Sequence, residues 1–230
     1  MNWWCSATDT PWSWEWRAYP GVWLIVFLLG ALYFRSRSLA LRADPRIAWG
    51  RGRMLTFLLG WFLVWGALDW PIGTLGGGYL ASMHSVQWLM LSQVAPPFLI
   101  LGVPPDAWRL LGAKAGWKAV LHRAAGGIFG LVVFNGVLLV THIPSVTDAL
   151  MASQLGSFTF DAAWFLSGLA LWWPVLAPRV GTIQAHSDQQ MAGLLMKAVA
   201  DPIMWVSMAI LFFRWSAMEK RADDIEAAAR

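Results

Sequence analysis

Cysteine is nearly missing from this sequence: Cys5 is the only one in 230 residues. An intrachain disulfide is therefore impossible, and a thiolate metal cluster is excluded. No basic segment and apolar run precede Cys5, so the start of the chain reads as neither a cleaved signal nor a lipoprotein site. Cys5 is expected to be an incidental thiol near the outer surface. Charge is scarce as well. Only 13% of residues are charged, against about one-quarter in soluble domains. Nor does the chain contain an internal repeat, a low-complexity tract or a linker long enough to part domains. It shows no nucleophile–base set, phosphate loop or inverted repeat, which argues against an enzyme or a transporter.

What is present is apolar. Hydrophobic residues make up 58% of the chain, and the mean hydropathy is +0.52. These values indicate an all-α polytopic transmembrane bundle. Six apolar segments are long enough to span, near residues 20–34, 54–72, 79–103, 119–140, 158–177 and 191–213. The first is short, and Trp12, Trp14, Trp16 and Trp23 are expected to complete it at the interface, where an indole keeps its ring dry and its N–H wet. One transmembrane domain over residues 1–218 and a polar tail over 219–230 follow from this pattern.

The net charge of +4 and pI near 9.6 could suggest nucleic acid. The basic residues sit in short loops, however, and orientation in a membrane accounts for them better. Arg35, Arg37, Arg42, Arg46, Arg51 and Arg53 follow the first segment. Arg109, Lys114 and Lys118 follow the third, with Arg123 just beyond, and Arg179 follows the fifth. The loops after the second and fourth segments hold no Lys or Arg. The basic loops are therefore expected in the cytoplasm, and the amino terminus outside the membrane. The tail, with Arg214, Lys220, Arg221 and Arg230, fits this orientation worst.

With that orientation, Asp69, His84, His142, Asp148 and Asp161 share the outer face, while His122 and His186 fall inside. His84, His142 and Asp161 form a candidate metal site, with Met83 and Met151 near by in sequence. Imidazole suits copper or zinc, and thioether suits Cu(I). The alternative is a set of interfacial polar residues bonded to one another and to water. Lys197 and Asp201, beside Pro202, are four apart on one helix face and read as a structural ion pair at a proline kink. In the third segment, His84, Gln87 and Leu91 share a face that should point into the bundle. Pro96 and Pro97 should bend that segment, with Gln93 able to satisfy a freed carbonyl.

That stretch reads Met83-His84-Ser85-Val86-Gln87-Trp88, then Val94-Ala95-Pro96-Pro97 and Leu101-Gly102-Val103-Pro104. It resembles the CtaG-type cytochrome c oxidase assembly factors, in which a His-Met-x-x-His helix runs into Met-Val-Ala-Pro-Pro. Thr141-His142-Ile143-Pro144 with Asp148, Gly168-Leu169 with Trp172-Trp173-Pro174-Val175-Leu176, and Asp188-Gln189-Gln190-Met191-Ala192-Gly193 with Met196 are similar to further blocks of that family. The resemblance implies a multi-span bacterial membrane protein needed to make active haem–copper oxidase, with copper delivery or insertion as its role and histidines as ligands. His84 and His142 match two of the family's histidines. Trp88 replaces the second histidine of the first pair, and a later pair falls on Ser157 and Asp161.

With three of five imidazoles replaced, copper binding is expected to be weak or absent, and His84 is expected to hydrogen-bond Asp161. Two functional readings follow. One is an oxidase assembly factor, handling copper or stabilising a subunit. The other is a non-catalytic accessory subunit of a larger membrane complex, with its Trp-rich surface against partner helices, pigments or lipids. Eighteen tryptophans favour the second reading. Lipids and integral membrane proteins such as oxidase subunits are the expected partners, and nucleic acid is not.

Overall fold

The structure, a computed structural model, describes residues 2–6, 12–114, 127–176, 213–214, 216–218 and 220–221. The chain groups into two compact units, Met1–Thr182 and Ile183–Arg230. In the second unit the described residues are helical. The expected ion pair of Lys197 with Asp201, together with His122 and His186, lies outside the described residues.

The first unit is built of helices, and no strand occurs among the described residues. They are α1 (Pro20–Ala43), α2 (Arg51–Leu68), α3 (Ile72–Gly78), α4 (Ala81–Leu89), a π-helical turn (Met90–Val94), α5 (Ala95–Leu101), α6 (Pro105–Lys114), α7 (Gly127–Thr141), α8 (Pro144–Met151) and α9 (Gln154–Leu176). Pro20 opens α1, where its missing N–H removes no helical bond. The helix continues well past the apolar run expected to end at Phe34, so Arg35, Arg37 and Arg42 ride on its last turns. Arg42 there faces the negative end of the helix dipole.

Among the described residues, only α1 is by itself long and apolar enough to cross a membrane. Two bent pairs also qualify when each is taken as one span: α2 with α3, bent by 43°, and Phe129–Thr141 with α8, bent by 80°. The described residues thus supply one to three spans, where the sequence suggested six. The third expected segment is divided among α4, the π-helical turn and α5, none of them long enough alone. In α9, Ser157, Thr159, Asp161 and Ser167 dilute the apolar residues.

Helices meet where glycine removes the side chain. A Cβ on Gly60 of α2 would lie 3.0 Å from the Ala95 carbonyl oxygen of α5. One on Gly102 would lie 2.8 Å from the Phe57 Cα, and one on Gly130 of α7 would run into the Ala170 carbonyl of α9. Gly168 of α9 stands equally close to the backbone of Ser92 in the π-helical turn. Small residues at crossings are how helices approach without a hydrophobic drive between them. The prolines explain the turn itself. Pro96 and Pro97 offer no N–H, and their rings crowd carbonyls one α-turn back, so the wider π spacing just before them relieves the conflict. Near the middle of α1, Tyr33 stacks on Phe57 with ring centroids 3.6 Å apart and accepts from Trp49 Nε1 at 2.8 Å.

Candidate functional site

Asp161 is the centre of the polar cluster. Ser157, Phe160, Asp161, Trp164, Ser167, Gly168 and Leu171 form the buried stripe of α9, at helical spacing. Ser153 caps this helix, its Oγ accepting the Gly156 N–H at 3.0 Å. Asp161 is buried, and both of its oxygens are engaged. Oδ1 accepts from Gln87 Nε2 at 3.0 Å, and Oδ2 accepts from Trp4 Nε1 at 2.9 Å.

The glycine-rich helix α3 lets the other groups come near. A Cβ on Gly76 would lie 2.5 Å from Gln87 Oε1 and 3.2 Å from the His84 backbone, so only glycine admits α4 at this distance. His84 Nδ1 lies 3.1 Å from the Gly76 carbonyl oxygen, and its ring packs on Trp164 and Phe160 at 4.8 and 5.8 Å between centroids. The expected bond from His84 to Asp161 is not made. Gln87, one turn further along the same face, reaches the carboxylate instead, and the imidazole turns to the Gly76 carbonyl in the last turn of α3.

His142 makes other contacts. Its Nδ1 lies 2.7 Å from the Leu138 carbonyl oxygen, and its ring meets the edge of Trp88 at 6.0 Å. The bulk of Trp88 falls beside His142. His84 and Asp161 line one cavity of about 10 Å³ with Gln87, Ser157, Met151 and Cys5; His142 is not among its walls. That volume is about the size of one water molecule. Among the described residues, no three His, Cys, Asp or Glu side chains come together as one metal ion would require. Asp69 and Asp148 do not support the imidazoles. Asp69 is buried and accepts from Trp23 Nε1 at 3.0 Å, Trp65 Nε1 at 2.7 Å and the Trp70 amide at 2.9 Å, while Asp148 is exposed.

Sequence reasoning gave Trp4 and Cys5 no part in the site. Cys5, expected near the surface, is 2% exposed, with its Sγ donating to the Leu68 carbonyl at 3.3 Å. Burial pushes its thiol up to about 12, with the Thr74 hydroxyl opposing the shift. No local pattern links Trp4 to Asp161, which is 157 residues away.

Residues 25–186 match the model of the cytochrome c oxidase caa3 assembly factor family, Caa3_CtaG, over well more than half of the chain. The chain belongs to this family. No curated protein and no solved structure matches it. The region matched to the caa3 assembly factors contains His84, Gln87, His142 and Asp161, whereas Trp4 and Cys5 precede it. The donor that closes the second oxygen of Asp161 thus comes from outside the family region.

Proposed function

We propose that this caa3 assembly factor serves the oxidase by holding a membrane subunit during assembly, not by carrying copper. It would act as a multi-pass, non-catalytic protein of the bacterial inner membrane, with six spans and the amino terminus outside. One observation carries the reading. Asp161, which stands at a histidine position of the family pattern, has both oxygens closed by the N–H groups of Gln87 and Trp4. A cation entering there would have to displace two charge-assisted hydrogen bonds.

The remaining donors do not fit a copper centre. His84 and His142 each direct Nδ1 at a backbone carbonyl, which leaves Nε2 to bind a metal. They stand against different partners, His84 against α9 and His142 against Trp88. Two nitrogens and a blocked carboxylate are a poor set for Cu(I). The second reading, a permanent accessory subunit, draws support from aromatic surface: Trp14 and Phe27 are 72% and 69% exposed. That surface would face lipid or partner helices.

The test is complementation. In cells lacking this protein, oxidase activity is measured at limiting and at excess copper, with wild type and the His84→Ala/His142→Ala double variant supplied in turn. Subunit holding predicts that the double variant restores oxidase at both copper levels and that excess copper does not replace the protein. Rescue by copper alone would reject it. Stable capture of this protein in the mature complex would favour the accessory subunit.

A further inference from the structure

Residues 2–5 form no helix, yet they lie against the polar cluster around Asp161. The Trp3 amide donates to Gln154 Oε1 at 2.8 Å, the Trp4 amide shares that oxygen at 3.4 Å, and Gln154 Nε2 donates to Asn2 Oδ1 at 3.0 Å. The Gly21 amide donates to the Trp3 carbonyl at 2.9 Å. Beneath this grip Trp4 is 2% exposed, its ring edge-on to Phe158 at 4.9 Å and its N–H on Asp161. Cys5 follows into the wall of the small cavity beside Asp161 and His84. A Cβ on Gly73 would lie 3.1 Å from the Cys5 Sγ, so the segment lies in a groove that a side chain there would narrow.

The grip and the seal are different residues. Gln154 is only half-buried and holds the segment by three hydrogen bonds at its rim, while below it Trp4 donates to Asp161 and Cys5 lines the cavity. Bonds at a partly wet rim are the ones that open locally, at a fraction of the global unfolding free energy.

We propose that residues 2–5 are a strap that opens and closes over the Asp161 cavity, controlling its access to water and small polar solutes. Closed, the strap supplies the Trp4 N–H to Asp161. Open, it leaves Asp161 with Gln87 alone, beside Ser157, His84 and Met151, in the space the indole had filled. This goes beyond subunit holding and does not depend on it.

Cys5, the sole cysteine, reports the motion directly. A maleimide must reach the thiolate, and Cys5 is 2% exposed, so labelling requires the open form. The rate is measured on the purified full-length protein in detergent, for wild type, Gln154→Ala, the milder Asn2→Ala, and Trp49→Phe at the opposite end of α1 as a control. Wild type should label far more slowly than protein unfolded in dodecyl sulfate. Gln154→Ala should label roughly tenfold faster than wild type, as expected for lost rim hydrogen bonds, with its melting temperature close to wild type. Asn2→Ala should fall between the two. Wild-type labelling at the unfolded rate would overturn the proposal, because the strap would not close. Equal rates in wild type, Gln154→Ala and Asn2→Ala would overturn it as well, since the segment would be fixed. Equal acceleration in Trp49→Phe would also do so, by tracing labelling to global unfolding.

Discussion

A carboxylate among apolar side chains persists only where donors surround it, and Asp161 has two. Gln87→Leu leaves Oδ1 without its amide and should destabilise the protein by about 1–3 kcal/mol. Adding Asp161→Leu removes the unsatisfied carboxylate but strands the buried Trp4 N–H, so it should recover only part of that loss. Thermal unfolding of the three proteins in detergent measures both effects. Cys5 gives a second prediction at this scale. Its ordinary value of 9.0 rises to about 12 on burial, so the folded state keeps a proton that the unfolded chain gives up. The stabilisation is complete below pH 9 and is lost as pH climbs from 9 towards 12. Denaturant unfolding across that range should show a shallower decline for Cys5→Ala than for wild type. Some decline should remain, since burial also raises Tyr19. His84 and Gln87 were legible as polar residues aimed into the bundle, because helical spacing gives direction, whereas Asp161 was legible only as a polar group at the outer face. Their partners were not. Trp4, Cys5 and Gln154 meet through tertiary contacts that span most of the chain, where periodicity carries no information.

Among the elements, glycine decides which helices can touch. Gly168 and Gly136 are an instructive pair, since both are helical and only one is crowded. A Cβ at Gly168 meets the Ser92 backbone, whereas one at Gly136 meets nothing within 4 Å. Gly168→Ala should therefore destabilise by about 1–3 kcal/mol, by forcing α9 away from the π-helical turn. Gly136→Ala should be neutral or stabilising by up to about 1 kcal/mol, as alanine favours helix. Thermal melts of the two variants check this contrast. The ends of α1 and α9 were partly legible: Pro20 marked one start, and the apolar run outlined most of α9. The continuation of α1 through its arginines was hidden, because a helix leaving an apolar layer looks like a basic loop. The π-helical turn was hidden too. Two prolines announce a disturbance, but the packing of Gly168 on Ser92 helps set its form.

For the whole molecule, the all-helical class follows from composition, and the family follows from ordered motifs that the match over residues 25–186 confirms. The count of spans does not follow so easily. Bent pairs such as α2 with α3 divide an apolar run between two axes, and hydropathy along the chain cannot show a bend. Function depends on whether the family's histidine positions still act together. In this chain Trp88 lies at His142, and Asp161 is closed by Gln87 and by a tryptophan from outside the family region. Copper content therefore tests subunit holding against metal handling most directly. Purified wild type, His84→Ala and His142→Ala are loaded with Cu(I), passed through a desalting column and analysed for copper per protein. Subunit holding predicts well under one copper per chain, the same in all three. One copper per wild-type chain, lost in both variants, would contradict it.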